Sequence, residues 1–327
     1  MKAITYHQYG PPSVLQLREL PMPTPRHDEL LVAVRASTVT AADVRMRAMR
    51  VPRGLGLLSR LALGFFAPRK KILGTELSGV VVAVGSGVTR FTVGTPVFGM
   101  SGDYSGCHAE YRTLRESAAI AVKPDGISFE EAAALSFGGT TALDFFRRAR
   151  LQPGERVLIN GASGAVGAAA VQLAKHLGAH VTAVCGTANI ELVRALGADA
   201  VIDYTRDDFT RNGERYDVIM DTAGTAPWSR AKRSLGSRGR LLAVAADLPA
   251  MLAALWRNVG RRRVIVGTAR ILPEDVRLLA ELAARGIYTP VIGRRYPLER
   301  IAEAHAHVDG GHKRGNVVIT MPAAVAA

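Results

Sequence analysis

The sequence predicts an α/β protein in which a doubly wound parallel sheet is joined to a mostly antiparallel β domain. Three observations indicate this fold class. Residues 155–185 form a strand–turn–helix–strand unit with a glycine-rich first turn. Strands and helices then alternate as far as residue 285, which is typical of a parallel sheet covered by helices. Residues 1–120, by contrast, are rich in short strands separated by glycine.

The central unit has the order of a dinucleotide-binding motif. Arg156–Asn160 and His180–Cys185 are apolar and β-branched, which predicts two buried strands. Between them, Ala168–Leu177 has apolar residues at helical spacing and is followed by Gly178, a typical helix end. Strand, turn, helix and strand therefore fall within about 30 residues, which is the context that the motif requires.

The turn of this unit predicts a phosphate site. We expect Gly161 to permit the sharp turn, Gly164 to let a pyrophosphate approach the backbone, and Gly167 to let helix and strand pack closely. A glycine-rich loop in some other α/β protein is the alternative. The predicted cofactor contacts of the turn are Gly161, Ser163, Gly164, Ala165, Val166 and Gly167.

Length and composition limit the class of protein. The 327 residues suggest two domains, and 48% hydrophobic residues suffice for packed cores. Two cysteines exclude a disulfide framework and a cysteine zinc cluster. The amino terminus has no long apolar stretch of the signal-peptide kind, so we expect a cytoplasmic protein.

The formal net charge of +14 is high, but no helix carries basic residues on one face and no aromatic–basic interleaving occurs. We therefore expect no specific nucleic-acid partner, and we attribute the charge to arginine bias and to anionic cofactors and substrates.

The remaining elements follow from periodicity and turn residues. In the β domain we expect a helix at Thr40–Arg47 and strands at Met1–Tyr6, Val14–Glu19, Glu29–Ser37, Val80–Val84, Val97–Phe98 and Ala109–Leu114. Between this domain and the central unit we expect helices at Ser128–Leu135 and Thr140–Arg150. Beyond the central unit we expect helices at Glu191–Leu196, Ala226–Leu235, Pro273–Arg285 and Pro297–His307 and strands at Ala200–Asp203, Val218–Asp221, Gly239–Ala243, Val264–Gly267 and Asn316–Thr320. The predicted domains are 1–122, to which 286–327 returns, and 123–285.

Gly54–Ala67 is strongly apolar and is followed by Pro68 and three basic residues. It is too short and too interrupted to span a bilayer, which needs about 20 apolar residues, so no stable membrane insertion is expected. We favour a lid over a substrate pocket. A helix buried against the domain and a loop that touches a membrane are the alternatives.

Together these residues resemble a zinc-independent medium-chain dehydrogenase/reductase of the quinone oxidoreductase type. The matching segments are ILGTELSGVVVAVGSGVTRFTVGTPVFG at 72–99, GGTTAL at 138–143, NGASGAVG at 160–167, ALGADAVIDY at 195–204 and DTAG at 221–224. The resemblance implies a GroES-like β domain, a Rossmann domain and a nicotinamide cofactor.

The metal ligands of zinc-dependent relatives are missing from the matching positions. Thr40 stands where those relatives have a cysteine, and Thr75 replaces the histidine of their Gly-His-Glu segment. A catalytic zinc needs about three protein ligands, so we predict none, although Glu76, Cys107 and His108 remain nearby in the chain. We expect His305, His307 and His312 to be surface or core helix residues, and Cys107 to be a buried small hydrophobe rather than a pocket residue.

The predicted cofactor is NADPH. An acid after the second strand would clamp the adenosine ribose of NADH, but none occurs between Cys185 and Glu191. By resemblance, Gly186, Thr187, Asn189 and Tyr204 lie near the adenosine, with Asn189 in place of a common lysine. The positive partner of the 2′-phosphate is left open among Lys175, Arg194 and Arg314.

By the same resemblance, Thr40, Asp43 and Arg47 face nicotinamide and substrate; helix capping and surface pairing are the alternative. Thr141 would lie near the carboxamide, or else cap a helix, and Gly224 would lie near the cofactor ribose.

These expectations describe an enzyme that delivers hydride to a quinone or an α,β-unsaturated carbonyl. Such substrates accept hydride directly, whereas alcohol oxidation is harder without a metal. The alternatives are an alcohol dehydrogenase or enoyl-thioester reductase on the same scaffold, and a non-enzymatic NADPH-binding protein at a membrane or on RNA. A homodimer that pairs Val264–Gly267 is a further expectation from the resemblance.

Overall fold

A computed structural model describes residues 1–51, 54–102, 105–244, 246–257, 261–311 and 313–322. The strands are β1 Lys2–Thr5, β2 Gln16–Glu19, β3 Glu29–Val39, β4 Glu76–Val84, β5 Pro96–Met100, β6 Tyr111–Arg115, β7 Ile120–Val122, β8 Arg156–Asn160, β9 His180–Cys185, β10 Ala200–Asp203, β11 Tyr216–Asp221, β12 Leu235–Ala243, β13 Arg263–Val266, β14 Ile292–Pro297 and β15 Asn316–Thr320. The helices are α1 Ala41–Ala48, α2 Gly56–Leu63, α3 Phe129–Ala133, α4 Ser136–Ala149, α5 Ala165–His176, α6 Ile190–Ala195, α7 Trp228–Ala231, α8 Leu248–Arg257, α9 Pro273–Ala284 and α10 Ile301–Asp309.

The chain forms two compact units. The first contains Met1–Val51, Gly56–Phe137 and Ile271–Ala327, and the second contains Pro52–Leu55 and Gly138–Arg270. The sequence analysis placed the boundaries at residues 122 and 286. The first unit is larger than this because α3 packs against β3 and β4, and α9 contacts β7.

A seven-stranded sheet forms the core of the first unit. Its order is β14-β15-β3-β4-β5-β7, with β6 paired to β3, and its pairs are antiparallel except for β14 with β15. The hairpin of β1 and β2 lies outside this sheet. The buried core includes Leu30, Leu77 and Ile120, and the tail strand β15 adds Val317 and Ile319.

The second unit contains a six-stranded parallel sheet in the order β10-β9-β8-β11-β12-β13. The strand order reverses between β8 and β11. Ligands of doubly wound sheets bind at such a switch point, beyond the carboxyl ends of the strands. The predicted doubly wound sheet is confirmed, and β8, β9 and β10 have the predicted bounds.

Several elements differ from the prediction. The helix expected over Ala226–Leu235 is only the short α7, because Leu235 already pairs with Tyr216 and starts β12. The sequence analysis missed β7, β14 and α8. The edge strand β14 carries Arg294 and Arg295, both exposed, so its sequence lacks the alternation that marks a half-buried strand.

Candidate functional site: the glycine turn and the adjacent strand ends

The turn between β8 and α5 has the geometry that its glycines predict. Gly161 has a φ of +81°, and a Cβ there would lie 2.7 Å from the Thr222 Oγ1 atom. A Cβ on Gly167 would lie 2.1 Å from the Gly161 carbonyl oxygen, so helix and turn pack too closely for a side chain. A Cβ on Gly164 would lie 3.5 Å from the Gly161 carbonyl oxygen, an ordinary contact distance. The expected roles of these glycines in turning, packing and leaving space agree with the structure.

The start of α5 exposes backbone donors toward this space. Gly164 is the N-cap, and no side chain of the described residues caps it. The Ala168 N–H makes the first bond of the helix, 2.8 Å from the Gly164 carbonyl oxygen. The N–H groups of Ala165, Val166 and Gly167 precede that bond and have no acceptor within the helix. Such donors at a helix start attract anions.

A hydrogen-bonded network joins the carboxyl ends of β8 and β11. Asn160 Nδ2 donates to Asp221 Oδ1 and to Thr225 Oγ1, both at 2.8 Å. The Asp221 carboxylate also accepts from the N–H groups of Gly224 at 2.9 Å and Ala226 at 2.8 Å. Gly224 has a φ of +75°. This network fixes the second loop at the switch point, and the sequence analysis missed the part played by Asn160 and Asp221.

An acid lies at the carboxyl end of β9 after all, and it comes from the neighbouring strand. Asp203, the last residue of β10, stands opposite Cys185 in the register of the two strands. Its Oδ2 atom accepts from Thr187 Oγ1 at 2.5 Å, and its Oδ1 atom accepts from the Thr205 N–H at 3.0 Å. The sequence analysis considered only the residues directly after Cys185 and did not foresee this contact.

The hydrogen bond from Thr187, with those from Thr205, lowers the pKa of the Asp203 carboxyl below its ordinary value. The carboxylate is therefore charged at neutral pH. The guanidinium of Arg206 is 3.9 Å from Asp203 Oδ2 and largely exposed. Tyr204 lies between Asp203 and Arg206 in the chain. Its hydroxyl is close to Gly186, because a Cβ built on Gly186 would lie 3.1 Å from that oxygen.

The cations considered for the 2′-phosphate have different surroundings. Lys175 Nζ is 2.7 Å from Asp199 Oδ1, and Asp199 also accepts from the N–H of Val181 near the start of β9. Lys175 therefore lies at the opposite end of β9 from Cys185, and its assignment is wrong. Arg194 pairs with Glu191 at 2.8 Å.

Asn189 precedes α6, and the structure brings Gly186, Thr187 and Tyr204 together as expected. Arg314 is exposed in the first unit. The sequence analysis overlooked Arg206, although it follows Tyr204 by only two positions.

Thr40 and Asp43 form a capping box in the first unit. The Asp43 carboxylate accepts from the Thr40 N–H at 2.8 Å and the Thr40 hydroxyl at 2.6 Å, while the Gly74 N–H donates to its other oxygen at 3.0 Å. These contacts match the alternative of helix capping. That Thr40 and Asp43 face the nicotinamide and the substrate stays a prediction.

Arg47 is buried, so the alternative of surface pairing is wrong for this residue. Its Nε atom donates to the Gly10 carbonyl at 3.0 Å, and its Nη2 atom lies 2.7 Å from Asp309 Oδ2. Arg47 thus ties α1 to the Gly10 loop and to α10.

Thr141 is buried inside α4, so it does not cap that helix. Its contact with the carboxamide stays a prediction.

Glu76 stands in the segment that corresponds to the Gly-His-Glu of zinc-dependent relatives, and it is fully buried. Its carboxylate accepts from Thr38 Oγ1 and from the N–H of Phe137, both at 2.5 Å. Burial raises the pKa of Glu76 to about 7. Lys313 faces the charges of Glu76 and Asp43, and burial lowers the pKa of its ammonium to about 8.

The donors expected to remain near a zinc position do not assemble into a metal site. Cys107 is a buried residue of the hydrophobic core, as expected. His108 and His305 are both buried, with ring centroids 5.7 Å apart. Over the described ranges, no group of three or more histidine, cysteine, aspartate or glutamate side chains is placed to hold a metal ion. His312 lies outside the described residues.

A cavity of about 540 Å³ lies at the other edge of the parallel sheet. Its lining includes Arg215, Ser234 and Arg262, which directly precede β11, β12 and β13. Parallel strands start on one edge and end on the other. This cavity therefore lies at the amino-terminal ends of the strands, opposite the end that carries the glycine turn.

Two family models match the chain, and their order agrees with the two units. The alcohol dehydrogenase GroES-like domain matches residues 26–128, and the zinc-binding dehydrogenase model matches residues 196–319. A chloroplastic quinone-oxidoreductase homolog of Spinacia oleracea is 32% identical over 98% of each chain. A chloroplastic NADPH-dependent alkenal/one oxidoreductase of Arabidopsis thaliana is 28% identical over 98% of this chain and 79% of its own length.

Solved structures show the same fold. The Escherichia coli quinone oxidoreductase complexed with NADPH superimposes with a TM-score of 0.81, at 26% identity over 98% of this chain and all of that chain. The likeness extends over nearly the whole of both chains. The chain belongs to the quinone oxidoreductase type of the medium-chain dehydrogenase/reductase superfamily.

Proposed function

We propose that this protein is an NADPH-dependent, metal-free reductase of quinones or α,β-unsaturated carbonyls. The observation that carries the proposal is the uncapped start of α5 beside the open space at Gly164, at the switch point of the parallel sheet. Bound NADPH supplies the hydride. The chain supplies the binding, the orientation and the exclusion of water.

The glycine turn fits the pyrophosphate of the cofactor. The backbone donors of Ala165, Val166 and Gly167 would bind it, with Ser163 at the turn and Gly161 holding the turn open. The network of Asn160 and Asp221 fixes the loop that carries Gly224, where we place the cofactor ribose. We retain Thr141 and Arg314 as further predicted contacts of the nicotinamide end and the adenosine end, respectively.

We assign Arg206 as the positive partner of the 2′-phosphate, because Asn189 stands in place of the lysine that is common at its position. Arg206 is exposed, and its pairing with Asp203 at 3.9 Å is loose, so the guanidinium can turn to a phosphate. Gly186 and Tyr204 lie together beside it, and Thr187 holds the Asp203 carboxylate. The Escherichia coli relative has NADPH in its structure, which supports this choice of cofactor.

The substrate class follows from the residues at the former metal position. Thr40 and Thr75 replace nitrogen and sulfur ligands, and Glu76 is tied to Thr38 and Phe137. Two threonine hydroxyls and one carboxylate that already accepts two hydrogen bonds do not supply the three ligands of a catalytic zinc, so an already electrophilic substrate fits best. The named activities of the spinach and Arabidopsis relatives support a quinone or an enone. We assign Thr40 and Asp43 to positioning the segment beside the substrate, with Arg47 as its anchor.

A turnover screen tests the proposal. Oxidation of NADPH and of NADH is followed with a panel of quinones, enones and alcohols, with and without a chelator. We expect turnover of quinones or enones, a preference for NADPH, and no effect of chelation. Loss of activity on chelation, or turnover of alcohols alone, would overturn the metal-free reductase.

We further propose a homodimer formed through β13. This strand lies at one end of the six-stranded sheet, the position from which the expected pairing between two copies would extend the sheet. Light scattering of the purified protein would give the mass of the particle, and a monomer at micromolar concentration would contradict the dimer. A cytoplasmic location stays a prediction.

A further inference from the structure

The segment of residues 56–71, which we call the α2 segment, presents a large apolar surface. No residue of α2 is buried, so the expectation of a helix buried against the domain is wrong. Its large apolar side chains have high exposed fractions, which are 64% for Leu57, 60% for Leu58, 55% for Leu61, 45% for Phe65 and 91% for Phe66. A cluster of this kind marks an interaction surface rather than ordinary surface variation.

The helix itself needs a partner. An isolated helix of fewer than about 12 residues is marginal in water, and tertiary packing usually supplies the missing stability. The eight residues of α2 bury no side chain in the described protein. A surface that covers the leucines and phenylalanines would therefore stabilise both the helix and the exposed rings.

Three hydrogen bonds define the turn that follows α2. Arg60 donates to the Phe65 carbonyl at 2.8 Å, and the Arg69 N–H donates to the Leu63 carbonyl at 2.8 Å. The Tyr9 hydroxyl donates a hydrogen bond to the Gly64 carbonyl at 2.9 Å. The turn after α2 thus presents Phe65 and Phe66 together, with ring centroids 5.0 Å apart.

The charges of the segment have one sign. Arg60, Arg69, Lys70 and Lys71 lie within it, and no aspartate or glutamate occurs between Gly54 and Thr75. Leucine and phenylalanine beside lysine and arginine form the combination that binds an anionic lipid interface. A second copy of the chain would bring the same four cations against these four, so the charges disfavour pairing between copies.

We propose that the α2 segment docks the protein on an anionic phospholipid surface, with the apolar side chains in the headgroup region and the cations facing the lipid phosphates. The docking is peripheral. In the described part of the chain, no helix has the length and hydropathy that crossing a membrane requires. Lipid binding can be measured without turnover, so this proposal stands or falls separately from the reductase activity.

Co-sedimentation of the full chain with vesicles tests the docking. Vesicles of phosphatidylcholine alone are compared with vesicles that also contain phosphatidylglycerol, at physiological salt. We expect binding to the anionic vesicles and little binding to the neutral ones. The double variant Phe65→Ser, Phe66→Ser should bind at least about tenfold more weakly, because two rings no longer enter the interface. Arg69→Gln with Lys71→Gln should weaken binding to anionic vesicles only.

The matched control replaces exposed apolar residues elsewhere. Met22 and Val93 are 58% and 62% exposed, so Met22→Ser with Val93→Ser removes comparable apolar surface outside the segment. This variant should bind vesicles as the parent does. The docking is refuted if the parent binds no vesicles, or if the phenylalanine variant binds as tightly as the parent. It is also refuted if the phenylalanine variant loses dimerisation but keeps lipid binding, since the patch would then be an interface between copies.

Discussion

The Glu76 carboxylate accepts a hydrogen bond from the N–H of Phe137, 61 positions further along the chain. This bond anchors the first turn of α4 on strand β4. Its other oxygen accepts from Thr38 on β3, so one buried acid connects two strands and a helix. Because the group is fully buried, the acid form is favoured, and the pKa lies near 7 instead of the ordinary 4.5.

We expect Glu76→Gln to be more stable than the parent above pH 7. Between the ordinary pKa and about 7, the folded protein keeps a proton that the unfolded chain releases, so this group's contribution to stability is lost as pH rises through that range. Glutamine imitates the protonated acid, with its oxygen accepting from Phe137 and its amide donating to Thr38. Thermal unfolding between pH 5 and pH 8 measures the difference, which should grow with pH.

Glu76→Ala is the control for that experiment. It leaves the Phe137 N–H without its acceptor and should be about 1–3 kcal/mol less stable than Glu76→Gln at every pH, since neither side chain titrates. Parallel unfolding temperatures of Glu76→Gln and the parent over the whole pH range would contradict a raised pKa.

His305 predicts a pH dependence of the opposite sign. Both of its ring nitrogens are buried without a hydrogen-bond partner, and burial, aided by His108 and Arg47, holds its pKa well below the ordinary 6.5. The unfolded chain therefore takes up a proton below that value while the folded protein does not, and stability falls as pH falls. His305→Leu should flatten this decline in urea unfolding at pH 5 to 7. His7→Leu, on the surface, should leave it unchanged, and an equal decline in all three proteins would disprove the assignment.

Two glycines of the turn allow an effect on folding stability to be distinguished from an effect on cofactor binding. A Cβ on Gly167 would meet a backbone oxygen at 2.1 Å, whereas a Cβ on Gly164 would meet nothing closer than 3.5 Å. Gly167→Ala should therefore lose about 1–3 kcal/mol of unfolding free energy. Gly164→Ala should keep its unfolding temperature but bind NADPH at least about tenfold more weakly, because a methyl group stands where the pyrophosphate approaches. Denaturation and the fluorescence of bound NADPH measure the two effects, and an unchanged affinity in Gly164→Ala would argue against the turn as the phosphate site.

Arg206 is expected to set the preference for NADPH. Removal of a charge-assisted bond of about 1.5–3 kcal/mol in Arg206→Ala should raise the dissociation constant of NADPH by about 10- to 100-fold and leave that of NADH almost unchanged. Calorimetric titration with adenosine 2′,5′-bisphosphate gives the same comparison without turnover. Arg211 is the matched control, because it too lies 3.9 Å from an aspartate three positions earlier and is exposed. Equal weakening of both cofactors would show that Arg206 does not contact the 2′-phosphate.

Local patterns predicted the centre of the second unit well. The bounds of β8 and β9 followed from β-branched apolar runs, and the glycine spacing predicted the turn that joins β8 to α5. The predicted strand Gly239–Ala243 is the second part of β12, which begins four residues earlier because Leu235 pairs with Tyr216 of β11.

Contacts between distant positions could not be predicted. Arg47 meets Asp309 across 262 positions, and Asn160 meets Asp221 across 61. Nothing in either neighbourhood of the sequence specifies such a partner, because only the completed fold brings them together. The acid that accepts from Thr187 was missed for the same reason, since Asp203 lies on the neighbouring strand.

The placement of Asp203 has an evolutionary consequence. Thr187 and Thr205 donate hydrogen bonds to its carboxylate whether or not Arg206 is present. The negative charge at the end of β10 is therefore independent of Arg206, whereas the positive charge depends on that one residue. Under the proposed assignment, replacement of one exposed arginine would leave an acid beside the ribose, the arrangement that favours NADH. A single codon change would then shift the cofactor preference from NADPH, the reductant of biosynthesis, to NADH, the reductant of catabolism.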